Sequence, residues 1–131
     1  MNEERGKSGI LVVEDDQTIR HLVRMILERR GYVVETAQDG IEAVLKLGLG
    51  EFDAVILDLM MPNLDGFALI ETLAANAPER LRRIIVTSAA SPTVIQTRMR
   101  GHTPFDVLPK PFDIEELQRR VRACIDQGQT A

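Results

Sequence analysis

The chain has 131 residues, 44% of them hydrophobic, which suits one globular domain burying roughly two-thirds of its unfolded surface. A net charge of −4 excludes a general electrostatic grip on nucleic acid or an anionic membrane, although Arg80, Arg82 and Arg83 form a local basic cluster able to recruit an acidic partner. No run approaches the ~20 apolar residues of a membrane span, the opening nine residues lack a signal-peptide core, and the single Cys124 cannot form an internal disulfide, so a cytoplasmic protein with no membrane insertion is predicted.

In chain order, the apolar run Ile10-Leu11-Val12-Val13 predicts a first strand that ends in Glu14-Asp15-Asp16. Ile19, Leu22, Val23, Ile26 and Leu27 then recur at helical spacing, with Asp16 as N-cap and Gly31 as the C-terminal glycine. Tyr32 to Thr36 reads as strand two. Asp39-Gly40 opens a second helix through Ile41, Val44 and Leu45, which Gly48 and Gly50 are expected to stop. Strand three, Asp53 to Leu57, leads through Asp58 into the turn-rich loop from Met60 to Gly66, and a third helix runs through Phe67, Ile70 and Leu73 to an exit at Pro78. Strand four spans Arg83 to Thr87, a fourth helix starts at Ser91-Pro92, strand five ends at Lys110, and Phe112 to Ile125 carries the fifth helix with Cys124 in its apolar stripe.

Five strands that are continuous apolar runs, alternating with five helices, predict a parallel sheet covered on both faces, an α/β doubly wound sandwich. Ligands bind such sheets beyond the carboxyl ends of the strands. Glu14, Asp15 and Asp58 would converge there, and like charges that close call for a cation among them. Thr87 adds a hydroxyl and Lys110 an ammonium. Together they predict a metal-assisted phosphate site.

Val12-Val13-Glu14-Asp15-Asp16, Val55 through Asp58 to Gly66, Val86-Thr87-Ser88 and Leu108-Pro109-Lys110-Pro111-Phe112 resemble the receiver domain of two-component response regulators. The resemblance implies a flavodoxin-like fold with five parallel strands in the order 2-1-3-4-5. It places the receiver domain at residues 9–126, with residues 1–8 and 127–131 as flexible ends and no output domain on this chain. It also implies phosphorylation of Asp58 by a sensor histidine kinase or a histidine phosphotransfer protein, and slow hydrolysis back to aspartate: a signalling phosphoacceptor rather than a metabolic enzyme.

The ligand set carried over for Mg²⁺, with Mn²⁺ able to substitute, is Asp15, Asp58, the backbone carbonyl of Met60, and Glu14 through metal-bound water. Asp58 is the nucleophile, Thr87 and the Ser88 backbone N–H meet the phosphoryl oxygens, and Lys110 pairs with Asp58 at rest. A cis Lys110–Pro111 bond is implied. Asp16 is assigned to helix capping, Asp65-Gly66 to the turn into helix three, and Met60-Met61 to packing, because thioethers do not suit Mg²⁺.

One position departs from the family pattern. Val107 stands where an aromatic residue usually reports phosphorylation, and a β-branched side chain has no ring to swing. The response is therefore expected to travel through the loop from Thr87 to Ser91 and through helix four, toward a downstream protein target on another chain. A homodimer through the helix 4, strand 5 and helix 5 face is a further expectation of the family. The rival reading is a docking domain that keeps the fold and binds partners without being phosphorylated. A haloacid-dehalogenase-like phosphatase would need a second acid two residues after the nucleophile, where Met60 stands.

Overall fold

The computed structural model describes residues 7–61 and 63–129. The expected flexible segment at 1–8 falls mostly outside the described residues, as do Pro62 and the last two positions of the expected tail. Five parallel strands form the main sheet: β1 (Gly9–Val13), β2 (Val33–Ala37), β3 (Ala54–Asp58), β4 (Ile84–Ser88) and β5 (Asp106–Pro109). Their order is β2-β1-β3-β4-β5, as expected. Helices α1 (Gln17–Arg29), α2 (Gly40–Leu49), α3 (Gly66–Asn76), α4 (Pro92–Met99) and α5 (Ile114–Gln129) cover both faces.

The pleat divides each apolar run between two cores, since successive side chains point to opposite faces. Leu11, Val13, Val55, Leu57 and Val86 pack toward α2, α3 and α4, against Leu47, Phe67, Ile70 and Ile95. Ile10, Val12, Ile56 and Ile85 pack toward α1 and α5, against Val23, Leu27, Leu117, Val121 and Cys124. Both faces being covered is why the strands read as unbroken apolar runs rather than alternating ones.

Local chemistry sets the helix ends. The Asp16 and Asp39 side chains accept from the backbone N–H of Ile19 and Glu42, at 3.0 and 2.9 Å, as capping requires. Gly31, at φ 95°, closes α1 with the N–H of Gly31 on Glu28 O and that of Tyr32 on Leu27 O, the two bonds of a Schellman motif. Gly66 holds a closer approach: a Cβ there would lie 2.7 Å from Leu59 Cα, so only glycine lets α3 start against the end of β3.

Several boundaries differ from the sequence reading. Strands β2 and β3 sit one residue further along, which makes Asp58 the last residue of β3 rather than the first beyond it. Strand β5 stops at Pro109, one residue short of Lys110, whose N–H still donates to the Ser88 carbonyl at 2.8 Å. The loop after Asp58 folds into a short antiparallel hairpin, Met60–Met61 against Leu64–Asp65, with Asn63 at positive φ. Pro78 opens a 3₁₀ helix, Pro78–Arg83, where only an exit was expected. Gly48 lies inside α2, and Gly50 ends it. Helix α5 continues through Gln129, so residues 127–129 are helical rather than a flexible tail. Arg80 and Arg83 turn inward, donating to the carbonyls of Leu47 and Phe52 at 2.9 and 3.2 Å, and so do not form an open basic face.

Two outcomes follow from this packing. Gly66→Ala should lower stability by about 1–3 kcal/mol in denaturant unfolding, since Leu59 backbone cannot move aside. Cys124 is fully buried, and burial above all pushes its thiol up to about 12. The folded chain therefore keeps the proton that an unfolded cysteine loses near ~8.5. The thiol's contribution to stability is fully present below that pH and declines as pH rises toward the folded value. Thiol reagents should label Cys124 only under unfolding conditions, and rapid labelling of native protein would contradict this packing.

Candidate functional site

Parallel register aligns the ends of four strands. Val13 lies beside Leu57, so Glu14, Asp15 and Asp58 emerge together, and Asp58 is the register partner of Thr87. Oxygens of Glu14, Asp15 and Asp58 come within 4.8 Å of one another. Lys110 arrives from the far strand: its Nζ lies 2.6 Å from Glu14 Oε1 and 3.1 Å from Asp58 Oδ2. The sequence reading anticipated the contact with Asp58. It gave no sign of the shorter one with Glu14, which joins residues at opposite ends of the chain.

Burial makes these contacts count. Glu14 is 4% exposed and Asp58 5%, whereas Asp15 is exposed and its carboxylate has no protein partner among the described residues. Burial raises the Glu14 pKa above the usual carboxylate range, and the Asp58 charge adds to the rise. Lys110 and the Asp16 N–H, which donates to Glu14 Oε2 at 3.2 Å, work against it. For Lys110 burial pulls the other way, yet its hydrogen bonds and charge contacts with Glu14 and Asp58 prevail, and its pKa is raised.

The acidic turn is held from behind by Arg20, on the first turn of α1. Its Nη1 donates to the carbonyl oxygens of Glu14 at 2.9 Å and Asp15 at 3.3 Å. Nothing in the spacing of Arg20 distinguishes it from a solvated helix residue, and the sequence reading passed over it. Thr87 is 2% exposed, and its hydroxyl makes no hydrogen bond among the described residues. Ser88 is 1% exposed, and its Oγ accepts from the N–H of Ala90 at 3.0 Å, shaping the loop toward α4. The Lys110–Pro111 bond is cis.

The loop after Asp58 is tied back to it, with the N–H of Met60 donating to Asp58 Oδ1 at 3.1 Å. Asp65 caps α3 through the Phe67 N–H at 2.9 Å and also pairs with Arg98 of α4 at 3.1 Å. Arg98 stacks on the Phe67 ring, 4.0 Å from its centroid. The turn residue of the sequence reading is thus also a tether to α4. Val107 is half-buried beneath an open groove of about 570 Å³ between α4 and β5, lined also by Pro92, Ile95, Met99 and Pro104.

The donor set fits a hard divalent cation. Three carboxylates can present oxygens to one point, one of them exposed and unengaged, and no soft ligand intrudes. An ammonium already shared by two of these acids shows that the cluster demands positive charge.

Removing that ammonium should leave two buried carboxylates without compensation. Lys110→Met is expected to cost about 2–4 kcal/mol in the absence of divalent ions, and Asp58→Asn in the same chain should restore part of it. While Glu14 and Asp58 are ionised, the loss should be largest below pH ~10.4 and shrink at higher pH, since a folded lysine with a raised pKa contributes fully only below its unfolded value. Equal stability of the wild type and Lys110→Met would show that the ion pairs carry no net energy.

The chain is similar to known proteins in sequence and fold. Residues 10–122 match the response regulator receiver domain family. Response regulator MprA of Mycobacterium sp. (strain KMS) is 41% identical over 118 residues, covering 88% of this chain and 50% of the relative. The chain therefore spans about half the length of the curated relatives it matches. Among solved structures, the Francisella response regulator 1452 receiver domain aligns with a TM-score of 0.82 at 29% identity, over 93% of this chain and 99% of that one. The receiver domain of sensor histidine kinase PA1611 from Pseudomonas aeruginosa PAO1, with a magnesium ion coordinated in its active-site cleft, aligns with a TM-score of 0.79 at 30% identity, over 92% and 98%. With the family match extending over most of its length and the acidic cluster at the sheet edge, this chain belongs to the response regulator receiver domain family of two-component signalling.

Proposed function

We propose that the chain is a phosphoacceptor switch in a two-component phosphorelay, with Asp58 accepting the phosphoryl group from a sensor histidine kinase or a histidine phosphotransfer protein. The observation that carries this reading is the shared ammonium: Lys110 bridges Glu14 and Asp58 at a sheet edge that also presents Thr87. A carboxylate oxygen of Asp58 attacks the phosphorus in line, an O–P bond forms, and the N–P bond to the donor histidine breaks. Lys110 is placed to follow the charge from the carboxylate to the phosphoryl oxygens. The unengaged Thr87 hydroxyl and the Ser88 N–H are the further donors we assign to those oxygens.

Asp15, Asp58 and the Met60 carbonyl are the groups we assign to Mg²⁺, with Glu14 acting through water; the magnesium in the related PA1611 receiver supports this. Once bound, Mg²⁺ supplies the positive charge that lets an anionic phosphoryl group approach a carboxylate cluster. Hydrolysis of the acyl phosphate returns Asp58 to its resting form. The chain turns over nothing else in this reading, and its output is altered affinity for a downstream protein in the cytoplasm.

The readout we assign runs through the loop from Thr87 to Ser91 and α4. Val107 offers no ring to rotate, while α4 is linked to the Asp58 side of the domain by Arg98 on Asp65 and Phe67 and by Arg100 on Glu71. No helix among the described residues is long and apolar enough to cross a membrane.

Incubation with acetyl phosphate and Mg²⁺ should add one phosphoryl group by intact-mass measurement. Chelation of Mg²⁺ should abolish the addition, as should Asp58→Asn. An unmodified wild-type chain under these conditions would favour the docking domain that works without phosphorylation. Saturating Mg²⁺ should also stabilise the fold by about 1–3 kcal/mol through mass action. Asp15→Asn should remove most of that gain in thermal melts, and a melting temperature indifferent to Mg²⁺ would contradict the ligand assignment.

A further inference from the structure

Helix α2 is apolar on both sides. Gly40, Ala43 and Leu47 face the core, as an amphipathic helix requires. The opposite side carries Ile41, Val44, Leu45 and Leu49, at exposures of 63, 50, 60 and 86%. These are half of the large apolar side chains exposed among the described residues. At those exposures the face offers roughly 500 Å² of apolar surface, at the upper end of what an ordinary monomer leaves bare.

Gly48 sits in the middle of this stripe. It lies within the helix, its φ is not in the left-handed region, and a Cβ there would meet nothing within 4 Å. It lies in the last turn, where a glycine is tolerated more readily than in a helix interior. The open space beside it leaves room for a side chain approaching from outside.

We infer that the outer face of α2 is a self-association surface, on which a second copy of this chain packs its own α2 antiparallel about a two-fold axis at Leu45. Ile41, Leu45 and Leu49 are spaced by four residues on either side of Leu45, so a two-fold there sets Ile41 of one copy against Leu49 of the other. The same arrangement brings Ile41 of the second copy over Gly48, where the missing side chain leaves room.

The charges suit a copy better than a charged partner. Glu42 and Lys46, which flank the stripe, pair with each other at 3.5 Å, and the face presents no net charge of either sign. Lys46 also donates to the Thr36 carbonyl at 2.6 Å, occupying the neighbouring edge strand, so association through added β-strand pairing is disfavoured there. The α4-β5-α5 face, expected from the family to dimerise, carries only Val94 among the exposed large apolar side chains, and its Arg120 is engaged with Asp106 and Glu116. The apolar area is well over half of the ~800 Å² that each partner contributes to a standard interface, which fits a reversible dimer rather than a permanent one.

Sedimentation equilibrium of the 131-residue chain over micromolar to millimolar concentration should show a monomer–dimer equilibrium. Leu45→Glu should weaken it at least tenfold while leaving the circular dichroism spectrum unchanged, as expected for a residue with 60% exposure. A Leu45→Cys chain should form a disulfide-linked dimer on mild oxidation, because the axis sets the two side chains together. The buried Cys124 supplies no competing thiol. A chain that stays monomeric throughout would overturn the proposal and leave the face to another protein or another segment. A dimer undiminished by Leu45→Glu, or one that Leu45→Cys fails to cross-link, would overturn it by placing the contact elsewhere.

Discussion

The structure turns on one ammonium shared by two buried carboxylates. Glu14 and Asp58 end neighbouring strands, and the parallel register that buries their apolar predecessors leaves the two acids no room to separate. Lys110 resolves the conflict locally, at 2.6 and 3.1 Å, and does so from the end of β5 on the far side of β4. Breaking up such a cluster is unfavourable in either direction: without the cation the carboxylates repel, and without the carboxylates a lysine with only 19% of its side chain exposed stands unpaired. The sheet therefore fixes the chemistry, and the chemistry in turn favours the strand order that delivers Lys110.

The fold was legible because its signals are local and repeated. Continuous apolar runs, capping aspartates at 16 and 39, and the glycine at 31 each have one physical meaning, and all agree. Asp58, Thr87 and Lys110 were legible for the same reason, as polar residues at the ends of apolar runs. Three features were hidden. The Glu14–Lys110 contact spans 96 residues and depends on rotamers. Arg20 acts on backbone carbonyls, which carry no residue identity, and the inward turn of Arg80 and Arg83 does the same. The extension of α5 through Gln129 lay in polar residues without apolar periodicity, with Gln127 held on the Arg82 carbonyl at 2.9 Å.

Helix α2 sets a different constraint. Its inner face is needed to close the core over the β2 side of the sheet, but its outer face is as apolar as the inner one, and nothing in the folding of a single domain requires that. Surface apolar residues scattered singly are ordinary; four on one ten-residue helix, around a glycine with open space beside it, are not. Selection for solubility alone would replace them. Their location, on the side of the sheet away from α5 and beyond the edge at β2, keeps the surface clear of the site at the strand ends.

Stiffness and compliance are thus divided between the sheet and the helices. The groups proposed to meet a phosphoryl group stand at the ends of strands held by ladder hydrogen bonds and buried on both faces, where a displacement of any one disturbs the packing of both cores. The contacts that hold α4 are of another kind. Arg98–Asp65 and Arg100–Glu71 join side chains about half exposed or more, and such pairs contribute roughly 0–1 kcal/mol each. Helix α4 spans only eight residues, and its far side borders the open groove over Val107 rather than a packed neighbour. In the proposed switch, a phosphoryl charge at Asp58 would meet Thr87 and Ser88 in a rigid frame, and the nearest weakly anchored element is α4. Compliance at that helix would give the proposed switch a means of response in place of a rotating aromatic side chain, which Val107 does not offer.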